Sequence, residues 1–450
     1  MKEILYKLDV YPKVFLGNTS RRITIAPLGG RVFDAHEYTV KILKVDQSRP
    51  NVYPERSGRT TLTVSPDANG NLCFEAYFEG EGEHFINIYK DPEAKMDYTV
   101  AVYSLAEDMA GRIPLRGDLH MHTKRSDGRE APATVAANYR GHGLDFCVIS
   151  DHRRYYPSLE AIEAYRGMTD FNIVPGEEVH LPLNDVHYVN FGGTYSINAL
   201  VKPSQNDEVG DGAIEYRSLD GKAPDPMTKE EFIEMIKERS VKIPREHEAE
   251  RLSYAVMEWI FEHMQANGGL GIFPHPYWLC QTMQLPEDYT RFIYENAPFH
   301  AFEVLGGENY FSHNGFQTGL YYEMKAKGID HPIVGSTDSH GSTEHYKNVC
   351  ICSTIVFAKE NTREALIEAI KDKYSIAVDT ISKEYRLVGD FRLMKYASFL
   401  MENYFPLHDL ACRAEGYYMD RYSRGDKRAA DVLNAMKGQI PEMQKKYFEL

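Results

Sequence analysis

The chain has 450 residues, 43% of them hydrophobic and 26% charged, a composition that suits a globular protein of two or three domains, each with its own core. Its formal net charge of −15, from 66 acidic and 51 basic side chains, argues against non-specific binding to a nucleic-acid backbone or an anionic membrane. A phosphate-bearing small substrate stays compatible with that charge, because a local metal ion outweighs the global field.

The N-terminal MKEILYKLDVY lacks the apolar core and small-residue cleavage site of a signal peptide. No apolar run approaches the roughly 18 residues needed to span a bilayer. Cys73, Cys147, Cys280, Cys350, Cys352 and Cys412 are scattered, and only Cys350 and Cys352 lie close, in the strand-like run VCICSTIVF. They read as reduced, packed thiols of a cytoplasmic protein.

Residues 1–110 carry short segments with β-type alternation: ILYKLDVY, RRITIAPL, YTVKILKV, TTLTVS, CFEAYFEG, HFINIYK and YTVAVYSL. Gly, Pro, Asn and Asp separate them, and Asp67-Ala68-Asn69-Gly70-Asn71 reads as a hairpin connection with positive φ at Asn-Gly. Seven short strands without a helical pattern predict a small β-sandwich. Its histidines, His36 and His84, form no ligand-like cluster.

From about residue 112 apolar strand-like runs alternate with helical ones: IPLRGDLHMH, APATVAANYRGHG, LDFCVISDH, SLEAIEAYRG, NIVPGEEV, then HYVNFGG, GGLGIFPHP, HAFEVLGG and HPIVGSTDSH. That rhythm predicts an α/β architecture with a largely parallel sheet or barrel over 112–380. The polar, Gly-, Asp- and Pro-rich stretch 194–226 interrupts it and reads as a lid, ending at a capping box, Thr228-x-x-Glu231. A helix begins at Thr362, and 381–450 reads as a helical C-terminal extension, with apolar spacing in FRLMKYASFLMENYF.

The chemistry shows in where the histidines and carboxylates fall. His120 and His122 close the first α/β strand, His152 follows Asp151 at the end of the second, and Glu178 follows the third. His187 begins the next strand, His275 ends GIFPHP, and Asp338 and His340 end IVGSTDSH. Loops at strand C-termini of parallel α/β folds converge on one face. Imidazoles and carboxylates gathered there suit Zn, Mn or Fe. Each element alone has a plain structural alternative: a satisfied core histidine for His275, a solvated acidic pair for Glu177-Glu178, a turn for Asp338-Ser339-His340. Recurrence at one strand end after another is what favours a metal centre.

The segments Asp118-Leu-His-Met-His-Thr, Ser126-Asp127-Gly128, Ser150-Asp151-His152 and Pro175-Gly176-Glu177-Glu178, followed by His187, His275 and Asp338-x-His340, resemble the motifs of the PHP (polymerase and histidinol phosphatase) domain family. The resemblance covers about residues 114–380, and the β-rich region before it is similar to the carbaryl-hydrolase-like branch. It implies a distorted (β/α)7 barrel holding two or three divalent ions (Mn, Zn or Fe). Carried over, the ligands would be His120, His122, Asp127, His152, Glu178, His187, His275, Asp338 and His340. The family's spacing from Gly176 selects Glu178 as the bridging carboxylate, and a register shifted by one would select Glu177. Where the family often has a small polar pair, this chain has Arg153-Arg154-Tyr155-Tyr156, and guanidinium groups beside a metal site suit an anionic substrate.

The expected reaction is metal-assisted hydrolysis of a phosphate ester of a small molecule by a metal-bridging hydroxide. Arg153 or Arg154 would stabilise charge on the phosphoryl oxygens and His180 would act as general acid or as a hydrogen-bond partner. No nucleic-acid or membrane partner is expected, and the oligomeric state is open. The alternatives are a metallo-carboxylesterase or amidase on the same metals, its pocket lined by Tyr277, Trp278 and Leu279, and a non-catalytic binding module.

Overall fold

The structure, a computed structural model, describes residues 2–46, 60–93, 95–208, 218–220, 222–279, 281–306, 311–343, 352–380 and 386–450. The chain divides into two compact units: Met1–Ile113 with Phe391–Ala411 and Gly438–Leu450, and Pro114–Asp390 with Cys412–Lys437.

The first unit is β-rich. Its strands are β1 (Leu8–Tyr11), β2 (Val14–Leu16), β3 (Thr19–Pro27), β4 (Tyr38–Lys44), β5 (Thr60–Val64), β6 (Leu72–Phe78), β7 (Gly82–Tyr89) and β8 (Tyr98–Leu105). One antiparallel sheet runs β1-β3-β6, and a second sheet runs β2-β8-β7-β4-β5, antiparallel except for the parallel pair β2-β8. In β6 and β7 buried residues alternate with less buried ones, the period-two pattern of a sheet with one covered face. Ile23, Ile25, Val40, Leu72, Ile86, Ile88 and Val102 meet in one fully buried cluster. Val14–Leu16, too short to show a period, is a strand the alternation does not reveal.

The turn at 67–71 differs from a simple hairpin. Asp67 Oδ1 accepts the amides of Asn69 and Asn71, and Gly70 sits at φ 73°. Apart from one bridge, Pro66↔Leu72, the strands it joins pair elsewhere: β5 with β4, and β6 with β3. Turn chemistry is local, whereas the strand partner depends on which face must be covered.

The second unit alternates strands and helices: β9 (Ile113–Asp118), α1 (Pro132–Gly141), β10 (Phe146–Val148), α2 (Tyr156–Tyr165), β11 (Asn172–Val174), β12 (Gly176–Val179), β13 (Tyr188–Phe191), β14 (Val201–Lys202), β15 (Met227–Thr228), α3 (Lys229–Ser240), α4 (Glu248–Ala266), β16 (Leu270–Phe273), α5 (Glu287–Asn296), β17 (Ala301–Leu305), α6 (Phe311–Ala326), β18 (Ile333–Gly335), β19 (Cys352–Ala358), α7 (Arg363–Lys371), β20 (Ser375–Asp379) and β21 (Arg386–Val388). They form a six-stranded sheet, β11-β10-β9-β19-β20-β21, a five-stranded sheet, β12-β13-β16-β17-β18, and the short pair β14-β15. The expected parallel character holds for β9-β10-β11 and β16-β17-β18, while β12-β13-β16 and β19-β20-β21 are antiparallel. The β12–β13 connection is too short for a crossover helix, so these neighbours reverse direction. Among the described residues the two sheets do not close into one barrel. Isolated parallel bridges, Met121↔Ser339 and His152↔Glu178, link them at the strand ends that carry the histidines.

Thr228 and Glu231 make the capping box reciprocally, and Thr362 caps α7. Of the insertion 194–226, residues 209–217 and 221 lie outside the described residues, and the lid reading rests on them. Its described start is anchored: Thr194 accepts the Leu219 amide, and Ser196 and Asn198 bind Glu177. The C-terminal stretch is helical in α8 (Phe391–Asn403), α9 (Phe405–Ser423), α10 (Ala429–Met436) and α11 (Gln439–Tyr447), ending in β22 (Phe448–Glu449). The two units share it rather than leaving it as one extension: α8, α11 and β22 belong to the first, α10 to the second. β22 adds to β2 in parallel. No described helix is long and apolar enough to cross a membrane. Cys280 and Cys350 lie outside the described residues; Cys73, Cys147, Cys352 and Cys412 are free thiols.

Candidate metal centre

His120 and His122 lie just past β9, yet the chain there stays extended beside residues 338–340. Asp338 N donates to His120 O and His122 N to Ser339 O, both at 2.8 Å. Period-two geometry then turns both imidazoles the same way and sends Met121, fully buried, into the apolar cluster behind. In the same manner Glu178 N donates to Ser150 O and Arg153 N to Glu178 O, which sets His152 beside Glu178. Gly176 opens β12 because a Cβ there would sit 2.5 Å from Asn190 O.

Every residue of the expected ligand set meets in one cluster. Glu178 Oε2 lies 2.6 Å from His152 Nδ1, 3.5 Å from His120 Nε2 and 3.6 Å from His122 Nε2. Its Oε1 lies 2.8 Å from His187 Nδ1 and 3.5 Å from His275 Nε2. Asp338 Oδ1 is 2.8 Å from His122 Nε2 and 3.3 Å from His120 Nε2. Asp127 forms a second lobe, with Oδ2 3.4 Å from His152 Nε2 and 3.3 Å from His340 Nε2.

Two donor atoms on one tetrahedral ion at about 2.1 Å each stand roughly 3.4 Å apart, close to the 3.3–3.6 Å of six of these pairs, while three are shorter. The buried Glu178 Oε1 and Oε2, His120 Nε2, His187 Nδ1 and both ring nitrogens of His275 have no hydrogen-bond partner, even though nitrogen and oxygen approach to 2.6 Å. These atoms thus crowd together without hydrogen-bond geometry. Buried polar atoms left so are costly unless something fills the space between them. The donor set therefore fits divalent cations, and the groups His120/His122/Asp338, His120/Glu178/His275 and His122/Asp127/His152/His340 each lie within reach of one ion.

The electrostatics agree. Burial alone would raise Glu178, but His152, His187 and His120 hold it well below the usual carboxylate range. Burial would lower His152, yet Glu178 and Asp127 carry it up to about 10. His122, buried against His152 and His340, is pushed down to about 3. Glu177 presents the opposite case: burial raises it, and its oxygens accept from Ser196 Oγ at 2.7 Å, Asn198 Nδ2 at 2.9 Å and the Ile197 amide. Glu178, not Glu177, thus enters the cluster.

Three further carboxylates organise the site without belonging to the expected set. Asp118 accepts from His120 N, Thr337 N and Thr337 Oγ1 (3.1, 3.0 and 2.6 Å), tying the end of β9 to that of β18. Asp151 accepts from both the amide and the hydroxyl of Thr123 and of Ser126, shaping the loop that carries Asp127. Glu303, fully buried in β17, takes a hydrogen bond from His120 Nδ1 at 3.1 Å. That contact leaves Nε2 of His120 facing Glu178 and Asp338. Its sequence signal is a lone carboxylate inside the apolar run Ala-Phe-Glu-Val-Leu. Arg153, His275 and Asp338 have φ of 61°, 26° and 47°, strained values for non-glycine residues and common at functional sites.

Asp127, His152, Arg153, Arg154, His180, His187 and Trp278 line a cavity of about 360 Å³ over the cluster. His180 Nε2 lies 2.8 Å from His152 Nδ1, and burial lowers its pKa to about 4. Of the three aromatic-loop residues, only Trp278 lines this mouth; Tyr277 is buried against Phe316, and Leu279 bridges to Met283.

No family model matches the chain, and no curated protein matches it. Among solved structures it is similar to a two-domain protein from Bacteroides vulgatus containing a predicted PHP-like metal-dependent phosphoesterase, with TM-score 0.41 and 16% identity over 65% of this chain and 71% of that one. It is also similar to an amidohydrolase from Chromobacterium violaceum, with TM-score 0.30 and 14% identity over 51% of this chain and 89% of that one.

Proposed function

We propose that the chain is a member of the PHP domain family, an α/β hydrolase with two or three divalent ions that hydrolyses a phosphate ester of a small molecule. The observation that carries this reading is the Glu178 carboxylate, fully buried, 2.6–3.6 Å from His120, His122, His152, His180, His187 and His275, and in hydrogen-bond geometry with none of them. Divalent ions held by that set would supply Lewis acidity, acidifying water and neutralising charge on phosphoryl oxygens.

The chain's own groups do the rest. Arg153 and Arg154, at the mouth, would hold anionic oxygens through guanidinium. His180, kept neutral at pH 7 by burial, would first accept a proton from the attacking water and then pass one to the leaving oxygen. Glu303 and Asp118 keep the His120 ring and backbone in place. Buried free thiols, Cys147, Cys352 and Cys412, support a reducing compartment such as the cytoplasm.

The test is elemental analysis of gently purified protein, followed by turnover of phenyl phosphate and phenyl acetate after Mn or Zn reconstitution. At least two ions per chain, phosphate-ester turnover and inhibition by inorganic phosphate are expected. Fewer than one ion would overturn the metal reading. Turnover of the acetate alone would leave a metallo-carboxylesterase.

A further inference from the structure

Beside the mouth lies a larger cavity, of about 1010 Å³. Arg153, His180 and Gln205 line both spaces, so the two adjoin at these side chains. A volume of this size is that of a site for a drug-sized organic molecule, well beyond what a phosphate group and a few carbons require.

Much of the wall is apolar: Leu181, Val186, Val201, Leu252, Leu285 and Tyr289 line the space beside polar residues that include Asp185, Lys202 and Glu250, and all of these apolar side chains but Leu252 are at most 7% exposed. Three of the amide side chains among them are already engaged. Asn184 Oδ1 accepts from Ser253 Oγ at 2.7 Å and its Nδ2 donates to Val186 O at 2.7 Å. Gln284 Nε2 donates to Asp185 O at 2.8 Å, and Asn198 is held by Glu177. The apolar side chains and these paired amides offer a ligand contact and ask for no hydrogen bonds in return. Lys229 and His247, both exposed, stand at the rim.

We infer that this cavity is the subsite for the alcohol portion of the substrate, which is therefore a phosphate ester of a bulky, mainly apolar or aromatic alcohol. The substrate class rests on the phosphoesterase reading above, while the apolar subsite rests on the cavity alone. The phosphoryl group sits at the metal cluster between Arg153 and His180, and the ring system passes between them into the larger space. Inorganic phosphate and short alkyl phosphates would fill only the mouth.

The experiment uses the full-length, Mn-loaded protein with phenyl phosphate and 4-biphenylyl phosphate, and with the non-hydrolysable 4-biphenylyl phosphonate as a binding probe followed by calorimetry. kcat/KM should favour the biphenylyl ester at least about 10-fold, mostly through KM. Leu252→Trp fills the space from a half-buried position, and Leu252→Glu places a charge there. Each should reduce the preference and weaken phosphonate binding by about 10-fold, with melting temperature and metal content as controls for folding. If both esters turn over with no preference and neither variant changes phosphonate binding, the subsite inference is wrong and the phosphoesterase reading stands. If neither ester turns over but the phosphonate binds in a Leu252-dependent way, the subsite stands and the phosphoesterase reading fails.

Discussion

His84 in the β-rich unit and His275 in the α/β unit are both 3% exposed, and the protein accommodates them in opposite ways. His84 Nε2 meets the Ser104 hydroxyl at 2.9 Å, burial pushes its pKa down to about 4, and it sits neutral among apolar strands. His275 has no hydrogen-bond partner on either nitrogen, and Glu178 and Asp338 raise its pKa against the pull of burial. A hydroxyl is a complete answer to a buried imidazole. Two carboxylates without hydrogen-bond geometry are not, and a divalent cation is the group that would complete such a set.

That contrast breaks first at Glu178. Glu178→Gln keeps the volume and removes the charge, so metal occupancy should fall below one ion per chain and turnover by on the order of 10²-fold or more. Elemental analysis and steady-state kinetics check this. Unchanged metal content would mean that Glu178 is a buried acid of the ordinary kind.

Next in size is Glu303. Glu303→Gln removes the acceptor that orients His120, and metal affinity should drop about 10–100-fold, read by competition with a chromogenic chelator. Glu303→Asp should recover part of it, which a purely space-filling role would not produce.

The comparison sharpens further with pH. His152 has a folded pKa of about 10, raised from 6.5, so in chelator-treated protein its contribution is present below pH 6.5 and lost as pH rises toward about 10. His84, lowered to about 4, acts on the other side: the unfolded chain takes up its proton first, and stability falls as pH drops from 6.5 toward 4. Metal should reverse the alkaline arm, because neutral imidazoles are the ligands and affinity rises with pH. Thermal melts from pH 5 to 10, with and without EDTA, measure both arms. An alkaline arm insensitive to EDTA would count against metal binding.

The smallest effects belong to residues that are already satisfied. Glu177→Gln should retain its metals and most of its turnover while costing about 1–3 kcal/mol of stability through the Ser196, Asn198 and Ile197 contacts. His84→Gln should cost about 1 kcal/mol and leave metal content untouched. Metal loss in Glu177→Gln with retention in Glu178→Gln would reverse the order along this strand.

Much of the centre could be read from the chain because its signals are local. A His-x-His pair in extended backbone turns both rings to one side whatever surrounds it, and carboxylates at successive strand ends converge in any parallel α/β arrangement. The capping box at Thr228 and the turn at Asp67 are local in the same sense. The tertiary structure decided what depends on partners far away in sequence. Glu303 matters because it lies beside His120, 183 positions away, and nothing near Ala-Phe-Glu-Val-Leu indicates that. Asp118 and Asp151 sit inside the motif segments, yet only the contacts with Thr337, Thr123 and Ser126 make them scaffold rather than ligands. The same holds for the strands on either side of residues 67–71, which leave a good turn for different sheets, and for the C-terminal helices, which two units divide. Periodicity states which face of an element is apolar; which neighbour covers that face is a matter of non-local burial.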